Sequence, residues 1–153
     1  MQLKIKKLNP NAIIPIRAYQ FDSGVDLYAC IEEPITLQPL ERRLIGTGIA
    51  IELPAPNTID GVQYVLEAQV RAKSGRAVKE GLGVLNSPGT IDNGFSDEIK
   101  VIVVNLSNEP ITIQLKQKIA QLVICPVVLL PITEVEKIGA GDRAMNGFGS
   151  TGI

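Results

Sequence analysis

An all-β, jelly-roll-like fold, a distorted β-barrel carrying one short helix, is what the 153-residue chain predicts. Three observations carry that expectation. Apolar and polar residues alternate with a period of two in several short runs. Fourteen glycines and ten prolines punctuate those runs at strand-length intervals. No window of about eleven residues keeps an apolar stripe at helical spacing.

Taken in order, the opening MQLKIKKLNP alternates apolar and cationic residues like an edge strand, over 3–6, and lacks the apolar core of a secretory segment. Further strands are expected at 26–29, 35–37, 43–53, 64–71, 99–106, 111–115 and 121–128. Within 64–71, Val65, Glu67, Gln69 and Arg71 alternate with Tyr64, Leu66, Ala68 and Val70, the pattern of a half-exposed strand. Ile99, Val101 and Val103 share one face, with Lys100 and Ile102 on the other. The one helix expected is short, at 74–79. The stretch 83–101 reads as two short strands folded back on each other, bent at Pro88-Gly89 and turning at Asn93-Gly94, a pair that tolerates positive φ. No repeat or linker divides residues 1–138, which read as one domain. The remaining 139–153 holds GAGDRAMNGFGSTGI, too glycine-rich to order itself, and is expected to be mobile.

Charge and composition exclude several functions. The formal net charge is −1 and no run of lysine or arginine exceeds two, which is not the footprint of a nucleic-acid polymer binder. A single nucleotide needs only a few placed cations. There is no histidine, so neither a histidine-activated nucleophile nor a histidine-ligated metal is available, and general-base work falls to a carboxylate or a lysine. Cys30 and Cys125 have no metal-ligand spacing and read as reduced, buried, small hydrophobes of a cytoplasmic protein. The longest apolar run, 122–132, is too short to cross a bilayer and contains Pro126 and Pro131.

Candidate chemistry lies in five places. Asp92 and Phe95 flank the Asn93-Gly94 turn, an acid and a ring suited to a base and a stacking wall; alone, Asp92 reads as readily as a turn cap. Asp22 and Asp26 bracket a tight turn, where Asp22 reads as a cap and Asp26 as either a solvated acid or a water-mediated contact to hydrated Mg²⁺ on a polyphosphate. The run Arg71-Ala72-Lys73-Ser74-Gly75-Arg76 opens the short helix and reads as a solvated basic turn or an anion cradle, without the spacing of a P-loop. Gln121 starts a strand after Lys118. Arg143, Phe148, Ser150 and Thr151 are the groups a lid over phosphate and base would need, although a frayed terminus reads the same way.

In this order, the segments resemble the five motifs of the trimeric dUTP diphosphatase (dUTPase) family: SGVDLYA at 23–29, KSGRA at 73–77 with Lys79 and Gly81, GTIDNGF at 89–95 with Asn86 and Glu98-Ile99, KIAQL at 118–122, and Arg143 with GFGSTG at 147–152. The resemblance implies a homotrimer with three sites between subunits, the 83–101 stretch from one, the first, second and fourth motifs from a neighbour, and the tail of the third as a lid. It implies hydrolysis of dUTP to dUMP and pyrophosphate, assisted by Mg²⁺ that Asp26 meets through water. By the same resemblance Asp92 orients and deprotonates the attacking water. Asn86, Gly89, Ile91, Ile99 and Lys100 surround the uracil, and Phe95 lies under the deoxyribose. Lys73, Ser74, Gly75 and Gln121 hold phosphates, while Arg143, Phe148, Gly149, Ser150 and Thr151 close over the substrate. The departures are Phe95 for a customary tyrosine, Lys73 for arginine, Arg76 for leucine, Asp97 for glycine, and Ala144 and Asn146 for glycines in the tail. Arg71 or Arg76 is expected to compensate at the phosphates for the lost arginine fork. Two other readings use the same scaffold: a dCTP deaminase relative, for which no water-activating constellation at a ring carbon is visible, and a non-catalytic trimer that binds a regulatory protein.

Overall fold

The computed structural model describes residues 1–139. Twelve strands and one helix follow one another there. They are β1 (Lys4–Lys7), β2 (Gly24–Tyr28), β3 (Ile35–Leu37), β4 (Arg42–Gly46), β5 (Ile49–Glu52), β6 (Asn57–Ile59), β7 (Val62–Arg71), α1 (Ser74–Glu80), β8 (Leu82–Val84), β9 (Gly89–Ile91), β10 (Lys100–Asn105), β11 (Ile111–Ile113) and β12 (Lys118–Leu129). The all-β expectation with a single short helix holds. The strands form four open antiparallel sheets and do not close into a complete barrel.

The long strands organise the rest. β7 and β12 pair from Gln121 opposite Arg71 to Leu129 opposite Gln63. β2 lies on the other edge of β12, and β6 and β9 lie on the far edge of β7. The period of two holds at the start of β10: Ile99, just before it, and Val101 and Val103 are fully buried, while Lys100 is exposed and Ile102 half-buried; from Val103 on, both faces are buried. They meet Leu27, Leu37, Ile45, Ile49, Ile113, Ile119 and Leu122 in one apolar core. At about 25 cal/mol per Å² of apolar surface, removing such side chains from water is the main drive for the fold.

Three expectations change. The single strand over 43–53 is two, because Gly48 turns the chain at φ +67° beside a packed wall. A methyl group at Gly48 would stand 2.7 Å from Cys30 Sγ and 2.8 Å from Ala12 Cβ. β6 was not foreseen; it makes a hairpin with β7 through Asp60 and Gly61, both at positive φ, a type I′ signal in plain view. The 83–101 stretch is not a hairpin ladder: β8 pairs with β10 and β9 pairs with β7, so its strands enter different sheets. Only Gly94 of the Asn93-Gly94 pair takes positive φ, at +94°. The two cysteines are free, as expected, but only partly buried, because Cys30 borders the core and Cys125 sits on the edge-facing half of β12.

Asn105, fully buried at the end of β10, satisfies all four of its side-chain bonds. It donates to Leu37 O (3.1 Å) and Glu109 O (2.8 Å) and accepts from Ser107 N (2.9 Å) and Ser107 Oγ (2.8 Å). Asn105→Ala should strand those partners and lower stability by about 3 kcal/mol, read as a lower urea midpoint at fixed protein concentration. An unchanged midpoint would mean the network adds nothing.

Candidate active site

The turn before β2 and the first residues of β12 face each other because the sequence keeps one position bare. Gln121 lies opposite Asp26 in the β2–β12 register and leans over Gly24, where a methyl group would come within 2.4 Å of its Oε1. Only glycine leaves room there. The Gln121 amide donates to Ala72 O at 3.0 Å, which ties β12 to the chain just before α1. Beside these contacts opens a cavity of about 310 Å³ lined by Ile16, Ala18, Asp22, Ser23, Gly24, Asp26, Lys73 and Gln121.

Asp26 is the electrostatic centre of that cavity. Its two oxygens are taken by two ammonium groups: Lys73 Nζ on Oδ1, and Lys118 Nζ on Oδ2 at 2.7 Å. Burial works to raise its pKa, but the hydrogen bonds from Lys118 and Lys73 outweigh burial and hold the carboxyl below its ordinary 3.8. The Asp26 carboxylate in turn raises the Lys118 pKa, and the Lys118 ammonium lies 5.9 Å from the centre of the Tyr28 ring. Asp22 is a turn cap, accepting from Tyr19 N at 3.0 Å. Asp26 is therefore not a solvated acid. No group of three acids gathers as a metal cage among the described residues. With both Asp26 oxygens on ammonium groups, a divalent cation fits only as a hydrated ion met through water.

The basic run divides three ways. Lys73 points into the cavity, whereas Ser74 and Gly75 form the exposed first turn of α1. Arg71 leans along β7 to Gln69 Oε1 (2.6 and 3.0 Å) and Cys125 Sγ (3.5 Å). Arg76 is buried, 8 % exposed, and bonds Glu80 and the Lys118 carbonyl. Neither arginine reaches the cavity, so the expected compensation for Lys73 does not come from a direct phosphate contact by Arg71 or Arg76.

The Asp92 group lies elsewhere on the same copy. Ile91 pairs with Ala68 and Gln121 with Arg71, on opposite edges of β7. Asp92 and the cavity are thus roughly 13 Å apart along β7 and about 10 Å apart across it, from ordinary strand rise and spacing. The turn is well held: Phe95 N donates to Asp92 O at 3.1 Å, and Asn93 Nδ2 donates to Pro54 O (2.9 Å) and Leu66 O (3.2 Å). Asp92 is exposed, and its carboxylate has no ion-pair partner among the described residues. Phe95 is 42 % exposed. Asn86 packs on Gly89, while Ile91 is half-buried and Ile99 fully buried. The exposed Lys100 reaches Glu98 at 3.6 Å. Arg143, Phe148, Gly149, Ser150 and Thr151 lie outside the described residues. Sequence reasoning passed over Lys118 as a site residue and Ile16 and Ala18 as lining. Lys118 stood three residues before Gln121, but nothing in the sequence marked the two apolar residues.

A family model described as dUTPase matches residues 10–152. A curated protein of Clostridium novyi (strain NT), named deoxyuridine 5'-triphosphate nucleotidohydrolase, is 46% identical over 153 residues, covering 100% of both chains. One of the same name from Hydrogenobaculum sp. (strain Y04AAS1) is 44% identical over 153 residues, covering 100% of this chain and 99% of the relative. Among solved structures, a mutant dUTPase of Staphylococcus bacteriophage 80alpha with dUpNHpp superposes with a TM-score of 0.82 at 26% identity, over 99% of each chain.

Because the folded pKa of Asp26 lies below its unfolded value, its contribution to stability is present above the ordinary 3.8 and is lost as pH falls through the folded value. Asp26→Asn should therefore be less stable than the parent by roughly 1 kcal/mol near neutral pH, with the gap narrowing below about pH 4. Urea midpoints of both proteins across that range test this, and a gap that widens in acid would contradict it.

Proposed function

The chain belongs to the dUTPase family, and from that premise we propose how its residues hydrolyse dUTP to dUMP and pyrophosphate at sites completed between copies of the chain. The observation that carries the reading is the separation just described: a cation-bearing cavity beside the C-terminal end of β7, and, across the opposite edge of that strand, an exposed ring and an acid with no ion-pair partner among the described residues. Each half lacks what the other presents. A homotrimer, in which the 83–101 stretch of one subunit faces the cavity of the next, supplies both.

In that site Lys73, Ser74, Gly75 and Gln121 hold the phosphates and set the triphosphate in line with the attacking water. Asp92 accepts a proton from that water as its oxygen bonds to the α-phosphorus. The bond from the α-phosphorus to the bridging oxygen breaks, and pyrophosphate leaves. Phosphoryl transfer asks mainly for such positioning and for neutralised charge. Hydrated Mg²⁺, met by Asp26 through water, would supply further neutralisation on the phosphate oxygens. Asn86, Gly89, Ile91, Ile99 and Lys100 border the uracil, where a tight turn rejects a 5-methyl group. Phe95 underlies the deoxyribose and leaves no room for a 2′-hydroxyl. Arg143, Phe148, Gly149, Ser150 and Thr151 form the closing lid contributed by the tail, and the enzyme works in the cytoplasm on a free nucleotide, with no nucleic-acid polymer or membrane as partner.

Asp92→Asn should lower turnover by at least ~10²-fold, the usual scale for a positioned base, with binding of a non-hydrolysable dUTP analogue retained. Pyrophosphate release measured with dUTP, UTP, dTTP and dCTP should favour dUTP. Near-normal turnover of the variant would remove Asp92 from the mechanism, and deamination of dCTP would replace the reaction. Mixing Asp92→Asn with Lys73→Ala chains and refolding them together should restore activity that neither variant has alone. No recovery would place the two residues in the same copy's site.

A further inference from the structure

The structure gives Arg76 a place no surface arginine has. On α1 its side chain turns inward, 8 % exposed. One terminal nitrogen donates to Glu80 Oε2 at 2.5 Å, one turn along the helix, and the other donates to the Lys118 carbonyl at 3.2 Å. Its Nε is buried with no partner among the described residues. Burying a guanidinium with one donor left over is costly, so leucine would be the easier choice for packing alone.

The bond to Lys118 closes a ring of contacts around the cavity. Lys118 Nζ holds Asp26, Asp26 holds Lys73, and Lys73 is the residue immediately before α1. Three residues into that helix, Arg76 returns to the backbone of Lys118. The ring thus fixes the start of α1 against the start of β12, three residues before Gln121.

We propose that Arg76 is a positioning residue that sets Lys73 and Gln121 at the spacing a triphosphate needs, in a chain whose phosphate cation is lysine instead of arginine. This rests on the reading above that Lys73 and Gln121 hold phosphates. A guanidinium at position 73 presents five donors in a planar fork and can bridge Asp26 and a phosphate together, so it tolerates small shifts of the helix. An ammonium group on a flexible stem presents a single point of charge, and its placement depends on where α1 begins. Arg76 supplies the placement that the lysine cannot supply for itself.

The test compares affinities for a non-hydrolysable imido dUTP analogue and for dUMP, at a temperature where every variant is folded by circular dichroism. Arg76→Leu should weaken the analogue about tenfold, the scale of one charged hydrogen bond, and leave dUMP within about twofold. Its melting temperature should stay nearly level, because Glu80 is exposed enough to be solvated without its partner and leucine needs no donor satisfied in the buried place. In a Lys73→Arg background the same substitution should cost less than about twofold, because the fork no longer needs the tether. A uniform loss for both ligands, or an equal loss in both backgrounds, would overturn the proposal and leave Arg76 a packing residue. Lys73→Ala serves as the control: if it leaves the preference for triphosphate unmoved, the reading of the phosphate site fails instead.

Discussion

The ladder between β7 and β12 is the constraint from which the functional geometry follows. It fixes Gln121 at one end, against Arg71 and the turn into α1, and leaves the other edge of β7 free for β9. Once β9 pairs there, Asp92 is carried to the opposite side and toward the opposite end. No side-chain rotation closes separations of that order, since a strand spacing alone is nearly 5 Å. A single copy therefore holds the two groups apart, which is the reason the proposed site draws on a second copy.

Asp26 shows how charge is managed in the cavity before any nucleotide arrives. A half-buried carboxylate between two ammonium groups satisfies the cations as much as it is satisfied by them. On the proposed function, phosphates entering the cavity compete with Asp26 for Lys73, while Lys118 still holds its other oxygen. The cavity can therefore exchange one anion for another without leaving an uncompensated charge. Such an exchange needs only a few placed cations, which a formal net charge of −1 does not forbid.

Much of this was legible in the sequence where a local rule decides. The period of two in Ile99, Val101 and Val103 named their buried face because alternate residues of a strand point to the same side. Ser74 began the helix, and the motifs around Ser23, Lys73 and Gln121 named residues that do converge on one cavity. What stayed hidden depends on partners distant in sequence. The break at Gly48 reflects the crowding of Cys30 and Ala12, more than fifteen residues earlier in the chain. The strands at 82–84 and 89–91 looked like a hairpin because nothing local reveals that each has a better partner in another sheet. Arg76 looked exposed because its carbonyl acceptor lies 42 positions away.

Asp92 has no ion-pair partner among the described residues, and this too follows from the strand pairing. Constant contact with two cations holds the Asp26 carboxyl below its ordinary range. Asp92 is kept clear of them by the fold of its own copy, on a turn whose backbone is nevertheless fixed by the Asn93 amide bonding Pro54 and Leu66. Rigid backbone with a free side chain is what a positioned base needs, because order is established before the substrate arrives. In the proposed site Lys73 comes from a different copy than Asp92, so one sequence holds an acid clamped by two cations and another with no ion-pair partner among the described residues. The proposed division between subunits follows from how the strands pair, because β7 separates the two groups on every copy.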